Sequence, residues 1–178
     1  MTTLHVIGGT FRNRPLKAPK GDQTRPTTAM LRKSVFDILR PFMEGATFLD
    51  LFAGSGAMGI EALSCGASHA SFVDQNREAI RCINNNLNTL KLEEHSTVIQ
   101  GNVLTVIKRL KTSFDIIYCD PPYDQAALHL EILPFLDQSA LIQSGTRVLL
   151  EEAYPSKLHL ETTPLKKLIY KDSRHFGK

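Results

Sequence analysis

Short apolar runs and stretches with helical periodicity alternate along residues 44–178. The runs predict strands at 47–52, 69–74, 97–100, 114–119 and 146–151. Between them, apolar residues recurring every three or four positions predict helices at 58–64, 77–90, 103–110 and 125–137. Alternating strands and helices favour a three-layer α/β/α fold with a mostly parallel sheet. In such sheets, ligands bind beyond the carboxyl ends of the strands, so the residues that follow each strand are the candidates for function.

The N-terminal residues follow a different pattern. Short β-like runs broken by a Gly-Gly pair predict a small β-hairpin. After a polar turn, Thr27 or Thr28 is placed to cap a helix that continues to Phe42. We therefore expect a basic hairpin and helix in residues 1–43, on the substrate side, ahead of an α/β domain in residues 44–178.

The C-terminal residues 166–178 have the pattern of one more strand followed by a glycine turn. Nothing follows for that turn to lead into. We therefore expect the chain to stop one strand short of its natural end.

Composition indicates a globular protein of the cytoplasm. Apolar residues make up 42% of the chain and charged residues 22%, with no stretch long enough to span a membrane and no signal-peptide pattern. Cys65, Cys82 and Cys119 form no close pair, and the six histidines are scattered, so we expect neither a disulfide framework nor a metal site. We expect a monomer.

Positive charge is concentrated at the N-terminus. Residues 1–33 carry seven Lys and Arg against one Asp, a net +6, whereas the whole chain carries +3. This asymmetry predicts a polyanionic partner such as nucleic acid, with Arg12 and Arg14 contacting its backbone. The alternative is a solvated basic arm.

A glycine-rich loop follows the first predicted strand of the α/β domain. Residues 50–62 read D-L-F-A-G-S-G-A-M-G-I-E-A, in which Gly54, Gly56 and Gly59 form G-x-G-x-x-G between a strand and a helix. Asp74 ends the next strand, where an acid accepts hydrogen bonds from ribose hydroxyls. The combination predicts a site for a nucleotide-like cofactor.

Asp50 narrows the choice of cofactor. A carboxylate directly ahead of the glycines would repel the pyrophosphate of NAD but would pair with the amine of S-adenosylmethionine (SAM). After the third strand, Asn102 is placed either to accept from an adenine amine or to cap the following helix. The candidate cofactor residues are Asp50, Phe52, Gly54, Ser55, Gly56, Asp74, Gln75, Asn102 and Val103.

Residues 119–124, C-D-P-P-Y-D, follow the fourth strand. Proline donates no hydrogen bond, so Pro121-Pro122 ends the strand and leaves carbonyl groups without N–H partners. With the carboxylate of Asp120 before them and the ring of Tyr123 after them, these carbonyls form a small polar pocket with a stacking lid. The alternative is a strand-terminating turn with a surface tyrosine.

Together these motifs resemble a known family. D-L-F-A-G-S-G with D-P-P-Y is similar to class I SAM-dependent methyltransferases that modify exocyclic amines. With V-I-G-G-T-F-R-N-R-P-L, T-R-P-T-T and F-V-D-Q-N, the chain resembles the RsmD-type guanine-N2 methyltransferases of 16S ribosomal RNA. The matching pieces cover residues 4–28, 50–62, 72–76 and 120–123. D-P-P-Y alone is shared with DNA adenine methyltransferases, whereas the N-terminal pieces are more specific.

The resemblance implies a Rossmann-like class I methyltransferase fold, SAM as cofactor and a guanine of 16S rRNA as target, in the small ribosomal subunit or its assembly intermediate. It makes Asp120, Pro121, Pro122 and Tyr123 the candidate catalytic residues, and Arg25, Thr27, Arg12 and Arg14 the candidate substrate-binding residues. Such proteins usually carry Asp where this chain has Asn102, whose amide oxygen we still expect to accept from adenine.

Three other functions stay open on the residues alone. An adenine-N6 DNA methyltransferase would use the same D-P-P-Y pocket. An RNA-binding module without turnover would not need Asp120 or Tyr123. A nicotinamide oxidoreductase would leave D-P-P-Y unused. The pair Glu151-Glu152, at the end of the last strand, is expected to be a capping or surface pair.

Overall fold

The computed structural model describes residues 4–19, 28–122, 128–151 and 165–169, together with Lys171 and Arg174. The strands within these residues are β1 (Leu4–His5), β2 (Pro15–Leu16), β3 (Thr47–Asp50), β4 (His69–Asp74), β5 (Ser96–Gln100), β6 (Ile116–Cys119) and β7 (Arg147–Leu150). The helices are α1 (Ala29–Leu39), α2 (Ala57–Ser64), α3 (Arg77–Leu90), α4 (Val103–Arg109) and α5 (Leu128–Gln138), with short 3₁₀ helices at Arg40–Phe42 and Glu93–His95.

The main sheet has the order β5-β4-β3-β6-β7, and all of its strand pairs are parallel. The chain runs outward from β3 to β5 and then crosses to the other side of β3 to form β6 and β7. The strand order therefore reverses between β3 and β6, which is the place where ligands bind in open parallel sheets. This confirms the predicted α/β fold with a mostly parallel sheet.

The N-terminal hairpin and helix are present as expected. β1 pairs with β2 in antiparallel register, Leu4 opposite Leu16. Helix α1 begins after Thr28, whose hydroxyl accepts from the N–H of Leu31 at 3.3 Å. Thr28 is thus the cap, and the helix gives way to a 3₁₀ turn that contains Pro41, a residue with no N–H to continue an α-helix.

Apolar side chains fill both faces of the sheet. One core cluster packs the sheet against α1, α2 and α3 and includes Val6 and Leu16 of the hairpin. The other packs it against α4 and α5. The described part of the N-terminal segment thus shares its core with the sheet, and the proposed boundary at residues 43 and 44 stays a prediction.

The expected strand near the C-terminus is wrong for residues 166–169, which form a bend and irregular chain. The backbone N–H groups of Lys166, Lys167 and Leu168 all donate to the buried carboxylate of Asp137, at 2.8, 2.7 and 2.7 Å. Because the side chain of α5 takes these donors, they do not pair with a neighbouring strand. Most of the remaining tail lies outside the described residues.

Candidate active site at the carboxyl edge of the sheet

The carboxyl ends of four neighbouring parallel strands place the candidate side chains along one edge. Asp50 ends β3, Asp74 ends β4, Asn102 comes two residues after β5, and Asp120 directly follows β6. Since β3 pairs with both β4 and β6, Asp50 lies between Asp74 and Asp120 at the point where the strand order reverses. The order of strands and helices in the sequence predicts this convergence.

Asp50 is a buried carboxylate, 1% exposed, whose hydrogen bonding is incomplete. Its Oδ1 accepts from the N–H of Phe52 at a long 3.4 Å, and its Oδ2 accepts no hydrogen bond within the described part of the chain. Burial raises the pKa of Asp50 to about 8, opposed by the Phe52 N–H and reinforced by the charges of Asp120 and Asp74. The site therefore favours a cation, which would stabilise the ionised carboxylate.

The glycine loop turns tightly between β3 and α2. Gly56, the residue before α2, has a left-handed φ of 79°, which glycine adopts without a steric penalty. The N–H of Gly54 donates to Asp74 Oδ2 at 2.9 Å, and the N–H of Asn76 donates to Asp74 Oδ1 at 2.8 Å. A carboxylate has about four acceptor positions, so Asp74 is held in place while it keeps capacity for further donors.

Asn102 is the N-cap of α4. Its Oδ1 accepts from the N–H groups of Leu104 at 3.0 Å and Thr105 at 3.3 Å, so the structure shows the capping alternative. The contact with adenine stays a prediction. The side chain of Val103 is buried in the second core cluster, Phe52 and Ser55 are half-buried, and Gln75 is exposed.

The Asp-Pro-Pro segment begins at the end of β6. Asp120 is half-buried, Pro121 is buried and Pro122 is exposed. Tyr123, Arg25 and Thr27 lie outside the described residues.

Glu151 joins this edge, although the sequence suggested a capping or surface residue. The Tyr118 hydroxyl, on a side chain only 2% exposed, donates to the half-buried carboxylate of Glu151. Burial, followed by the charges of Asp120 and Glu151, raises the pKa of Tyr118, so the phenol remains a donor. The expectation of a capping or surface pair is wrong for Glu151, which is half-buried and contacts Tyr118, and Glu152 lies outside the described residues.

A buried polar network attaches the hairpin to α2. The Glu61 carboxylate accepts from the N–H of Ile7, at 2.9 Å, and from the N–H of Gly8, at 2.5 Å. The Ser64 hydroxyl donates to the carbonyl of Gly8 at 2.6 Å and accepts from the N–H of Phe11 at 2.9 Å. A Cβ at Gly9 would lie 1.7 Å from the Ser64 carbonyl oxygen. The I-G-G-T-F segment is therefore built to dock on α2.

The exposed Arg12 and Arg14 follow this docked segment. Because Ile7 and Gly8 are fixed on α2, the hairpin presents the two arginines on the outside of the fold. Their contact with RNA stays a prediction.

Asn86 connects the same N-terminal segment to the glycine loop. Its side chain, in α3 and 2% exposed, accepts from the N–H of Lys17 at 2.8 Å and donates to the Lys17 carbonyl at 2.9 Å. The same amide group donates to the Ser55 carbonyl at 2.9 Å. One buried side chain thus holds the end of the hairpin segment against the glycine loop.

The sequence interpretation did not single out Glu61 or Asn86, although each leaves a signal. Glu61 is the single charged residue in the apolar helix A-M-G-I-E-A-L-S. Asn86 lies on the apolar face of α3 with Cys82, Ile83, Leu87 and Leu90. A polar residue at a position that periodicity assigns to the core indicates a buried hydrogen-bonding role.

Within the ranges that the structure describes, no three His, Cys, Asp or Glu side chains are arranged to hold a metal ion. No helix among those residues is long and apolar enough to cross a membrane.

Comparisons with known proteins agree with this architecture. Ribosomal RNA small subunit methyltransferase D of Escherichia coli K12 is 32% identical over 148 residues, covering 83% of this chain and 74% of that protein. YlbH of Bacillus subtilis, named as a candidate rRNA methyltransferase, is 38% identical over 151 residues, covering 83% and 82%. The solved structure of yhhF from Escherichia coli, a candidate methyltransferase, superposes with a TM-score of 0.78 at 30% identity, covering 88% and 86%.

The family model described as conserved hypothetical protein 95 matches residues 4–177, almost the whole chain. The matched residues include the N-terminal hairpin, the glycine loop and the Asp-Pro-Pro segment. The resemblance inferred from the motifs is thereby confirmed: the chain belongs to the conserved hypothetical protein 95 family, that of the RsmD-type methyltransferases.

Proposed function

We propose that this protein is a SAM-dependent methyltransferase that transfers a methyl group to the exocyclic N2 amine of a guanine in 16S rRNA. The observation that carries the proposal is Asp50, a buried carboxylate between the glycine loop and the Asp-Pro-Pro segment, whose Oδ2 accepts no hydrogen bond from the residues that the structure describes. The relatives named as ribosomal RNA small subunit methyltransferases support methyl transfer to the RNA of the small subunit.

The residues along the edge fit SAM. Asp50 would pair with the amine of SAM, the backbone of Gly54–Gly56 would face its amino-acid portion, and Asp74 would accept from the ribose hydroxyls. Asn102 and Val103 would lie beside adenine, and Phe52, Ser55 and Gln75 complete the proposed contacts. SAM supplies an electrophilic methyl group on a sulfonium. A pyrophosphate cofactor fits poorly, because its charge would face the Asp50 carboxylate.

Asp120 and Pro121 would activate the amine. An aromatic amine is a weak nucleophile because its lone pair is delocalised into the ring. If the Asp120 carboxylate and the Pro121 carbonyl each accept one N–H, the nitrogen is held pyramidal and its lone pair points toward the methyl donor. Pro122 fixes the turn, and Tyr123 would stack on the base. The proton lost by the methylated nitrogen passes to Asp120 or to water.

The N-terminal segment would bind RNA. Arg12 and Arg14 are exposed beside the docked hairpin and would contact phosphates, while Arg25 and Thr27 would approach the target nucleotide. The substrate would be the small subunit or its assembly intermediate in the cytoplasm, with the enzyme acting as a monomer.

A methyl-transfer assay tests the proposal. The protein is incubated with SAM labelled in the methyl group and either unmodified small subunits or naked duplex DNA, and the product nucleosides are separated. We expect label in N2-methylguanosine from the subunits, lost in Asp120→Ala, which removes the acceptor, and retained in Asp37→Ala, which removes an exposed carboxylate on α1.

Two results would contradict the proposal. Label in N6-methyladenine from DNA would make the protein a DNA methyltransferase. SAM binding without transfer to either substrate would contradict turnover by this chain and favour the RNA-binding module.

A further inference from the structure

Glu151 lies beside Asp120 at the edge of the sheet. The strands β6 and β7 are parallel, with Cys119 opposite Leu150, so the next residues of the two strands are Asp120 and Glu151. The N–H of Glu151 still donates to the Cys119 carbonyl at 2.9 Å, which continues the ladder to this point. Neighbouring strands lie about 4.8 Å apart, which sets the scale of the separation between the two backbones.

The strand pattern, continued by one residue, predicts that the two carboxylates face the same side of the sheet. In a strand, residues two apart point in one direction, so Asp120 follows Tyr118 and Glu151 follows Leu149. Tyr118 belongs to the core cluster beside α1, α2 and α3, and the partly buried Leu149 packs against the same cluster. The contact between the Tyr118 hydroxyl and the Glu151 carboxylate agrees with this placement.

Tyr118 fixes the orientation of Glu151 and leaves part of it available. The hydroxyl donates to Oε2, whereas Oε1 accepts no hydrogen bond from the residues that the structure describes. A carboxylate held in this way, half-buried and beside the amine-binding Asp120, can accept a donor from the same substrate.

The chemistry of purine edges identifies that donor. In guanine, the N2 amine is adjacent to N1, which carries a hydrogen. In adenine, the N6 amine is adjacent to an N1 that carries a lone pair. A carboxylate next to the amine site therefore attracts the guanine edge and repels the adenine edge. Binding adenine would also leave the carboxylate oxygen without a donor, which weakens binding further.

We propose that Glu151, oriented by Tyr118, accepts the N1–H of the target guanine and thereby selects guanine over purines whose N1 carries no hydrogen. This inference rests on the proposed function, since it assigns the base preference of the same site. Asp120 and Pro121 bind the reacting amine, and Glu151 reads the adjacent ring atom.

The test uses 2-aminopurine, which keeps the N2 amine and lacks the N1 hydrogen. Small subunits are reconstituted with 16S rRNA in which the methylated guanosine, located first by mass spectrometry, is replaced by 2-aminopurine. We expect wild-type kcat/KM to fall by at least about 100-fold with this substrate, because a site built around a donor rejects the analogue that lacks it.

Glu151→Gln supplies the decisive comparison. Its amide can donate to the bare N1 of 2-aminopurine, so the preference for guanosine should shrink to less than about 10-fold, mainly through slower reaction of guanosine. Tyr118→Phe keeps the carboxylate but removes its tether, and should give an intermediate preference. Glu131→Gln, an exposed carboxylate of α5, should behave as wild type.

The outcomes separate the two proposals. If wild-type protein methylates no guanosine in the subunits, the proposed function fails. If it methylates guanosine, and Glu151→Gln and Tyr118→Phe both keep the full wild-type preference, the role of Glu151 is overturned. Thermal unfolding shows whether Glu151→Gln or Tyr118→Phe fails to fold. The variant that folds then decides the role of Glu151 through its ratio of kcat/KM for guanosine to kcat/KM for 2-aminopurine.

Discussion

Binding of SAM should release a proton from Asp50. The pKa of this buried carboxyl lies near 8, against 3.8 for a solvated aspartate, a difference of about 6 kcal/mol in favour of the neutral form. At pH 7 the ligand-free protein therefore holds Asp50 mostly protonated. An ammonium group beside Oδ2 would stabilise the ionised form, so binding and ionisation are linked.

The size of the effect follows from the pKa. If SAM pairs only with ionised Asp50, its apparent Kd rises about tenfold for each pH unit below 8, and roughly 100-fold between the plateau and pH 6. Isothermal titration calorimetry at pH 5.5 to 7 measures the apparent Kd, and a comparison of two buffers with different ionisation enthalpies gives the number of protons released on binding. We expect about 0.9 proton released per SAM at pH 7, where the amine of SAM itself remains largely protonated.

Asp50→Asn isolates the carboxyl group. The amide cannot ionise, so proton release should vanish, and SAM should bind about 10- to 100-fold more weakly at pH 7.5 because a charge-assisted hydrogen bond is lost. Asp37→Asn, exposed on α1, should leave both quantities unchanged. A wild-type Kd that is constant from pH 5.5 to 7, with no proton released, would refute the assigned role of Asp50.

The same group affects the stability of the ligand-free protein. Because the folded pKa of Asp50 is raised above the unfolded value, its contribution is fully present below about pH 4 and is lost as the pH rises through 8. The free energy of unfolding should therefore fall with pH in this window by up to about 1.4 kcal/mol per pH unit more in wild type than in Asp50→Asn. Urea unfolding at pH 6, 7 and 8 compares the two slopes.

Two further predictions concern the docking of the N-terminal segment. Gly9→Ala should lower the free energy of unfolding by about 3 kcal/mol or more, since its Cβ would overlap the Ser64 carbonyl. Gly45 has a similar φ, but an added Cβ there would meet no atom within 4 Å, so Gly45→Ala should cost only about 1 kcal/mol. Equal losses in urea unfolding would show that backbone strain alone decides. Asn86→Ala should cost about 2–4 kcal/mol, because it removes a buried amide that makes three hydrogen bonds, to the Lys17 N–H, the Lys17 carbonyl and the Ser55 carbonyl. The exposed neighbour Asn85→Ala should stay within about 0.5 kcal/mol. Similar midpoints for these two variants would contradict the network.

Local signals in the sequence are enough to locate most of the proposed site. Asp50, Asp74 and Asp120 each end a predicted parallel strand, and parallel strands bring their carboxyl ends to one edge, so their proximity follows from the order of the elements. The glycine loop is equally local, because strand, turn and helix are consecutive in the chain. What the proximity implies for each residue's role stays a prediction.

The long-range hydrogen bonds of the structure could not be predicted from residues that are close together in the sequence. Glu61 bonds to Ile7, 54 positions away, and Asn86 bonds to Lys17, 69 positions away. Glu151, at the end of β7, accepts a hydrogen bond from the buried Tyr118 of the neighbouring strand β6, a contact that the sequence pattern did not predict.

The same limit explains Asn102 and the C-terminal segment. A helix cap and an adenine contact call for the same residue at the same position, so the sequence around Asn102 could not separate them. The residues near 166 have a strand-like pattern, but Asp137 of α5 takes their backbone donors.

The docking of the N-terminal segment limits how this enzyme can be rebuilt. Its basic hairpin is not a detachable module, because Glu61, Ser64 and Asn86 of the catalytic body supply the groups on which it sits. A chimera that exchanges residues 4–19 between distant methyltransferases would leave the Glu61 carboxylate of α2 buried without its backbone donors. To avoid this, the residues at positions 61, 64 and 86 would have to be exchanged together with residues 4–19. Natural variation in residues 4–19 is therefore expected to be confined to the outward side chains, while the inner backbone of this segment and the two helices α2 and α3 change together.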